Sequence, residues 1–168
     1  MGRITAILGS ALFFVIAPGT VAGLVPLLIS RWTIDPPFFG LEPLRAVGIA
    51  MIAAGLVPLV DSFRRFAVEG LGTPAPILPT QQLIVTGFYR HVRNPMYVGV
   101  VSTILGQGLL FANAALIAYA AVVWLGFQVF ITAYEEPTLA RQFGASYNEF
   151  CKHVPRWLPR LTPWRASS

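Results

Sequence analysis

Two clusters of side chains in this sequence have the types and spacing to do chemistry. The first is the run Gly87-Phe88-Tyr89-Arg90-His91-Val92-Arg93-Asn94-Pro95-Met96-Tyr97, which sets cationic and titratable groups and two tyrosines at the head of an apolar stretch. The second is the pair Glu135-Glu136, just past the apolar stretch that follows. Arginines beside a helix start can hold an anion, because the first turn leaves N–H groups unbonded and carries the positive end of the dipole. Carboxylates accept from ammonium and hydroxyl groups. Aromatic rings stack on a base or face a cation. Charged residues at the ends of apolar stretches are also ordinary interface anchors. Adjacent glutamates on a basic membrane face are not explained in that way.

The elements that must position these clusters are membrane spans. Hydrophobic residues make up 55% of the 168 residues and charged ones only 11%, against roughly 25% charged in a soluble domain. Residues 4–30 carry no charge, and roughly 20 apolar residues cross a bilayer. The same segment fits a signal peptide with Arg3 as its basic region, but we expect a retained span, kinked at Pro18 and Pro26. A second span covers 42–64, with Arg45 and Asp61 at its interfaces. From Asn94 to Tyr134 there is again no charge, too long a stretch for one crossing and right for two. A helical hairpin is expected, with spans 96–111 and 114–134 and a turn at Phe111-Ala112-Asn113, where Asn113 can help form the bend. The hairpin returns the chain to its starting face, so the two clusters should meet.

Of the 12 Lys and Arg residues, four spans put all but Arg31 and Arg45 on one side. The positive-inside rule makes that side cytoplasmic. The fold class is therefore all-α: a polytopic integral membrane protein of about four transmembrane helices, one membrane domain over 1–168, with both termini, the loop 65–95 and the segment 135–168 cytoplasmic. Pro74, Pro76 and Pro79 keep the loop from being a continuous helix. Leu139, Phe143, Tyr147 and Phe150 recur at helical spacing and predict an amphipathic helix at the cytoplasmic surface, bent at Gly144. Pro155 and Pro159 end it, and Trp157 and Trp164 suit the headgroup level.

Other signals point away from chemistry. The net charge of +5 comes from scattered residues flanking apolar spans, which fits lipid headgroups or an anionic cofactor and not nucleic acid. Cys151 is the only cysteine and reads as a small half-buried side chain. No metal site is expected, since His91 and His153 lack a third ligand at metal spacing. Gly106-Gln107-Gly108 follows no strand and reads as helix packing by small residues. Asp61 reads as a helix-end cap or a partner of Arg64 or Arg65. The two chemistry-bearing clusters would together suit a zwitterionic cofactor such as S-adenosylmethionine, but a lipid headgroup or a nucleotide remains equally open on these grounds.

The run Gly87–Gly99 resembles the Gly-x-Tyr-Arg-x-x-Arg-His/Asn-Pro-x-Tyr-x-Gly segment of the isoprenylcysteine carboxyl methyltransferase and phospholipid methyltransferase superfamily. Glu135-Glu136, Leu139, Phe143-Gly144, Tyr147 and Val154-Pro155 resemble its C-terminal signature. The resemblance implies an S-adenosylmethionine-dependent methyltransferase whose lipophilic acceptor, a lipid or other small molecule, enters from the bilayer. It implies a cofactor site of Tyr89, His91, Arg93, Asn94, Tyr97 and Gly99, with Glu135 and Glu136 opposite and the C-terminal segment closing it. Asn94 stands where many members carry His, so hydrogen bonding carries over to it and proton transfer does not. The eukaryotic isoprenylcysteine enzymes tend to carry an arginine just before the glutamates, and Phe130–Tyr134 has none. Where the acceptor must lose a proton, Glu136, Glu135 and Tyr97 are the candidate catalytic groups. The alternatives are an NADPH-dependent membrane reductase of related architecture acting on a sterol-like or isoprenoid double bond, and a non-enzymatic lipid-binding or assembly protein.

Overall fold

The computed structural model describes residue 12 and residues 15–68 and 83–165. The beginning of the first predicted span (4–11, 13 and 14), the proline-rich crossing 69–82 and residues 166–168 lie outside the described residues. Among those described, all regular secondary structure is helical. Five helices follow in order: α1, Val15–Ser30; α2, Pro43–Val68; α3, Pro95–Leu110; α4, Ala114–Phe143; and α5, Ala145–His153. Two of them, α2 and α4, are long and apolar enough to cross a membrane, whereas α1 and α3 are shorter apolar helices.

The centre of the fold is the antiparallel pair α2 and α3. Glycines let their backbones touch. A Cβ added at Gly48 would stand 2.6 Å from the Gly106 carbonyl oxygen, and one at Gly55 would stand 2.6 Å from that of Gly99. Small residues at such crossings allow van der Waals packing that larger side chains would prevent. The register continues outward from this seam. Ser102 Oγ donates to the Met51 carbonyl (2.9 Å), and Arg45 Nη1 donates to that of Leu110 (2.9 Å). Gly106 therefore packs helices, as expected, and Gly99 packs against Gly55 in the same seam. Leu59, Phe63, Met96, Val100, Ile104 and Ala120 form the buried core around it.

Outside this core the helices are apolar on surfaces left exposed among the described residues. Leu56 and Val60 on α2, and Val122, Leu125 and Val129 on α4, are 42–65% exposed. Helices apolar all round belong in lipid or in a large core, and α4 has little core around it.

The hairpin turn falls where the sequence places it, with one difference. Ala112, not Asn113, takes the left-handed conformation (φ 54°). Asn113 instead caps α4, its side chain accepting from the Leu116 N–H (3.1 Å), which satisfies one of the helix's orphan donors.

A second difference bears on function. The helix whose predicted span ends at Tyr134 continues through Glu135-Glu136 to Phe143, with a π turn at Ile131–Glu135, and the chain breaks at Gly144 (φ 54°, ψ −122°). The first half of the expected amphipathic helix is thus an extension of α4. The second half, α5, turns back and buries Tyr147, Phe150 and Val154 against Leu83, Val85, Leu139, Phe143 and Trp164.

Candidate functional site

Two π turns interrupt the helices, Thr20–Leu24 in α1 and Ile131–Glu135 in α4. Each stands just before an X-Pro pair, Val25-Pro26 and Glu136-Pro137. Proline has no N–H to give the carbonyl four residues back, and its ring crowds that carbonyl. The backbone yields by taking i+5 bonds, Val25 N–H to Thr20 O and Glu136 N–H to Ile131 O.

In α4 this decides which side chains face the bundle. Leu116, Ala120 and Ile131 are buried, and Val123 and Phe127 pack on the core. An unbroken 3.6-residue period would next bring Tyr134 and Glu135 inward. The wider turn carries the face one residue further, so Glu135 and Glu136 turn in and Tyr134 is left 45% exposed.

Glu135 meets α3. Tyr97 donates its hydroxyl to Glu135 Oε2 (2.8 Å), and its ring lies against Phe127 with centroids 4.6 Å apart. Glu136 lies between two guanidinium groups. Arg156 forks onto it, Nε to Oε1 and Nη2 to Oε2, both at 2.8 Å. Arg93 Nη1 reaches Oε1 at 3.0 Å and Cys151 Sγ at 3.0 Å. The fork raises the Arg156 pKa, chiefly through its hydrogen bonds to Glu136. Arg93 Nε is buried and has no hydrogen-bond partner among the described residues. Tyr147, one helical turn before Cys151, has its phenol pKa pushed up by burial.

The tail that carries Arg156 is tied to the segment before α3 largely by its backbone. Arg93 N–H donates to Pro155 O (2.8 Å), Arg160 N–H to His91 O (2.9 Å) and Trp164 N–H to Arg90 O (2.9 Å). Side chains add to this. Arg90 Nε donates to Trp164 O (2.7 Å), His91 Nδ1 bonds Arg160 O (2.8 Å), and Asn94 Nδ2 donates to Arg156 O (3.2 Å). Trp157 reaches down α4, its indole N–H donating to Gln128 Oε1 (2.7 Å).

The residues singled out in the sequence thus divide. Arg93, Tyr97, Glu135 and Glu136 come together as expected, with Asn94 behind them holding the tail. Tyr89 is buried, and burial raises its pKa. Arg90 and His91 line a separate cleft of about 450 Å³, together with Val57, Asp61, Arg65, Gly87, Phe88 and Pro163. Arg65 bonds Asp61 (2.7 Å) and Thr86 Oγ1 (2.7 Å) in its wall. Gly87 (φ 52°) is required there, since a Cβ would run into the Arg65 guanidinium. Gly99 sits in the α2–α3 seam.

Arg156 and Cys151 were missed. Val154-Pro155-Arg156 carries a helix-ending signal and no periodicity, and only the return of the tail brings Arg156 to Glu136. Cys151 was read as inert packing. Its i+4 spacing from Tyr147 was the available sign of a shared face.

Arranged in this way, the groups make two poles one residue apart on α4. Arg93 and Arg156 against Glu136 leave one net positive charge, and the Tyr97–Glu135 pair supplies a carboxylate beside it. Such a pairing complements a zwitterion.

Residues 44–146 match the family model for phospholipid methyltransferase. Among curated proteins, the chain is similar to the protein-S-isoprenylcysteine O-methyltransferase of Schizosaccharomyces pombe, 37% identical over 80 residues, 47% of this chain and 34% of that protein. It is also similar to protein-S-isoprenylcysteine O-methyltransferase B of Arabidopsis thaliana, 35% identical over 79 residues, 46% of this chain and 40% of that protein. A weaker likeness joins it to the Delta(14)-sterol reductase of Mus musculus, 31% identical over 90 residues, 53% of this chain and 21% of that protein. The matched stretch therefore spans well under half the length of each of these relatives.

Proposed function

Because the chain belongs to the phospholipid methyltransferase family, we propose that it is a membrane enzyme that transfers a methyl group from S-adenosylmethionine to a lipophilic acceptor held in the bilayer. The observation that carries this reading is the double pole at the head of α3, the Arg93–Glu136–Arg156 cluster beside the Tyr97–Glu135 pair.

The cofactor fits these residues on one physical ground in particular. Arg93 Nε is a buried, unspent donor, and an unsatisfied buried N–H is costly unless a ligand meets it. Arg93 would hold the carboxylate of the cofactor and Glu135 its ammonium. When bound, S-adenosylmethionine supplies an electrophilic methyl on a sulfonium, which an acceptor N, O or S takes by in-line displacement.

The protein contributes position and a dry setting. The Tyr97 ring, backed by Phe127, offers a face to a cation. Glu136 has both oxygens engaged by guanidinium groups and acts as a fixed anion that aligns Arg93. Glu135, whose partner is the neutral Tyr97 hydroxyl, keeps its charge available for the cofactor's ammonium. The tail 154–164 closes the site on the side away from the helices.

We place the site at the cytoplasmic face of one four-span domain, with both termini on that face and α5 lying over it. Incubating the protein in nanodiscs with a membrane lipid extract and deuteromethyl-labelled S-adenosylmethionine, followed by mass spectrometry of the lipids, tests the function. A labelled lipid is the expected outcome. No label in any lipid, together with no S-adenosylhomocysteine binding by calorimetry, would sink it.

The likeness to a sterol reductase keeps one other reading in view, an NADPH-dependent reduction of an isoprenoid or sterol-like double bond. Quenching of tryptophan fluorescence by NADPH and not by S-adenosylhomocysteine would select it.

A further inference from the structure

We propose that Arg156, on the C-terminal tail, is a positioning residue of this site that acts through Glu136 to keep Arg93 available to ligand; the proposal rests on the reading of the site as an S-adenosylmethionine site. Arg156 occupies Glu136 through two parallel bonds of 2.8 Å. A fork onto a carboxylate fixes its orientation as well as its charge. Arg93 consequently meets Glu136 through one nitrogen only, Nη1, which is shared with Cys151, and its Nε stays unspent.

Without Arg156, the Glu136 carboxylate is free to turn onto Arg93 and take a second of its N–H groups. The donor meant for the ligand is then consumed within the protein. The local charge also changes, since one guanidinium against one carboxylate leaves no positive pole.

Arg156 is well held for this task. Its own carbonyl accepts from Asn94 Nδ2, and the carbonyl before it accepts from the Arg93 N–H. The side chain is 30% exposed, so the fork is shielded from solvent on most sides. Arg160, by contrast, holds the same tail through Arg160 Nη1 to His153 O (2.8 Å) and does not touch Glu136. That separates positioning of the site from simple attachment of the tail.

The test compares Arg156→Gln, Arg156→Lys, Glu136→Gln and Arg160→Gln in the full chain in nanodiscs, reading S-adenosylhomocysteine affinity, methyl-transfer kinetics and melting temperature. Arg156→Gln should weaken S-adenosylhomocysteine binding and raise the KM for S-adenosylmethionine by about tenfold or more, with a smaller change in kcat. Arg156→Lys keeps the charge and the fold but not the fork, and should recover only part of that loss. The double variant Arg156→Gln/Glu136→Gln should bind no worse than Glu136→Gln alone, because both act through one group. Arg160→Gln should leave affinity within about twofold of the native chain.

Equal losses in Arg156→Gln and Arg160→Gln would overturn the proposal in favour of tail attachment alone, as would additive losses in the double variant. A native chain that binds no S-adenosylhomocysteine refutes the functional reading itself. A native chain that binds while Arg156→Gln binds equally well refutes only the role of Arg156.

Discussion

The π turn of α1 and the π turn of α4 arise from the same backbone event and serve opposite ends. In both, a proline two residues past the turn removes the N–H that the helix needs, and the helix widens before it. In α1 the carbonyls set free are taken up by neighbours. Tyr119 donates its hydroxyl to Val21 O (3.0 Å) and Gln107 Nε2 donates to Ala22 O (2.7 Å). Gln107 also accepts from the Trp32 indole (3.3 Å). The defect becomes a joint between helices. In α4 Thr132 folds its hydroxyl back onto Gln128 O (2.8 Å), and the added residue rotates two glutamates into the bundle. A widened turn is thus neutral as a device. Its use depends on which residues it re-aims and on what stands opposite.

The largest expected effect breaks the α4 side of the comparison directly. Glu135→Gln should lower methyl transfer by roughly 100-fold, the scale for losing a charged partner of the cofactor's ammonium, with retention of fold by circular dichroism. Tyr97→Phe, which removes the partner hydroxyl, should fall in the same direction by less.

Pro137→Ala comes next. It returns an N–H to the helix, lets the turn tighten and swings Glu135 and Glu136 off the bundle face. Turnover should drop at least about tenfold while the melting temperature holds or rises. A variant with native turnover would mean that the turn does not aim the glutamates.

In α1 the outcome should invert. Gln107→Leu leaves Ala22 O and the Trp32 N–H without their partner and should cost about 1–2 kcal/mol of stability in denaturant titration. Turnover per folded molecule should be unchanged. Tyr119→Phe is the smallest change, a single interhelical bond of about 0.6 kcal/mol in lipid.

The parts of the fold that the sequence made legible are those set by local pattern. An uncharged run too long for one crossing gave the hairpin, and Phe111–Asn113 gave its turn. The meeting of Arg93 and Tyr97 with Glu135 and Glu136 followed from the hairpin alone. What escaped depended on geometry without a local signature. Pro137 was not recognised as the cause of a π turn, so α4 was ended at Tyr134 when it runs to Phe143. Arg156 was overlooked because the N–H donors that seat its chain, on Arg93 and Asn94, lie some sixty residues away on the segment before α3. Gly99, read with the site motif by resemblance, is explained by Gly55 across the seam. That contact is visible only once the α2–α3 register is known.

That register has a consequence for the membrane around the protein. Backbone contact at Gly48–Gly106 and Gly55–Gly99 sets how α2 lines up against α3, and α2 carries polar groups at both ends of this seam. From Arg45, bonded to Leu110 O at one end, to Asp61, paired with Arg65 at the other, α2 rises roughly 24 Å at 1.5 Å per residue. A typical hydrocarbon core is about 30 Å thick. The stretch between these two polar groups is shorter than such a layer, although α2 as a whole is long enough to span it. Set in a bilayer, such a helix would thin the layer beside it or let Arg45 reach outward along its own stem.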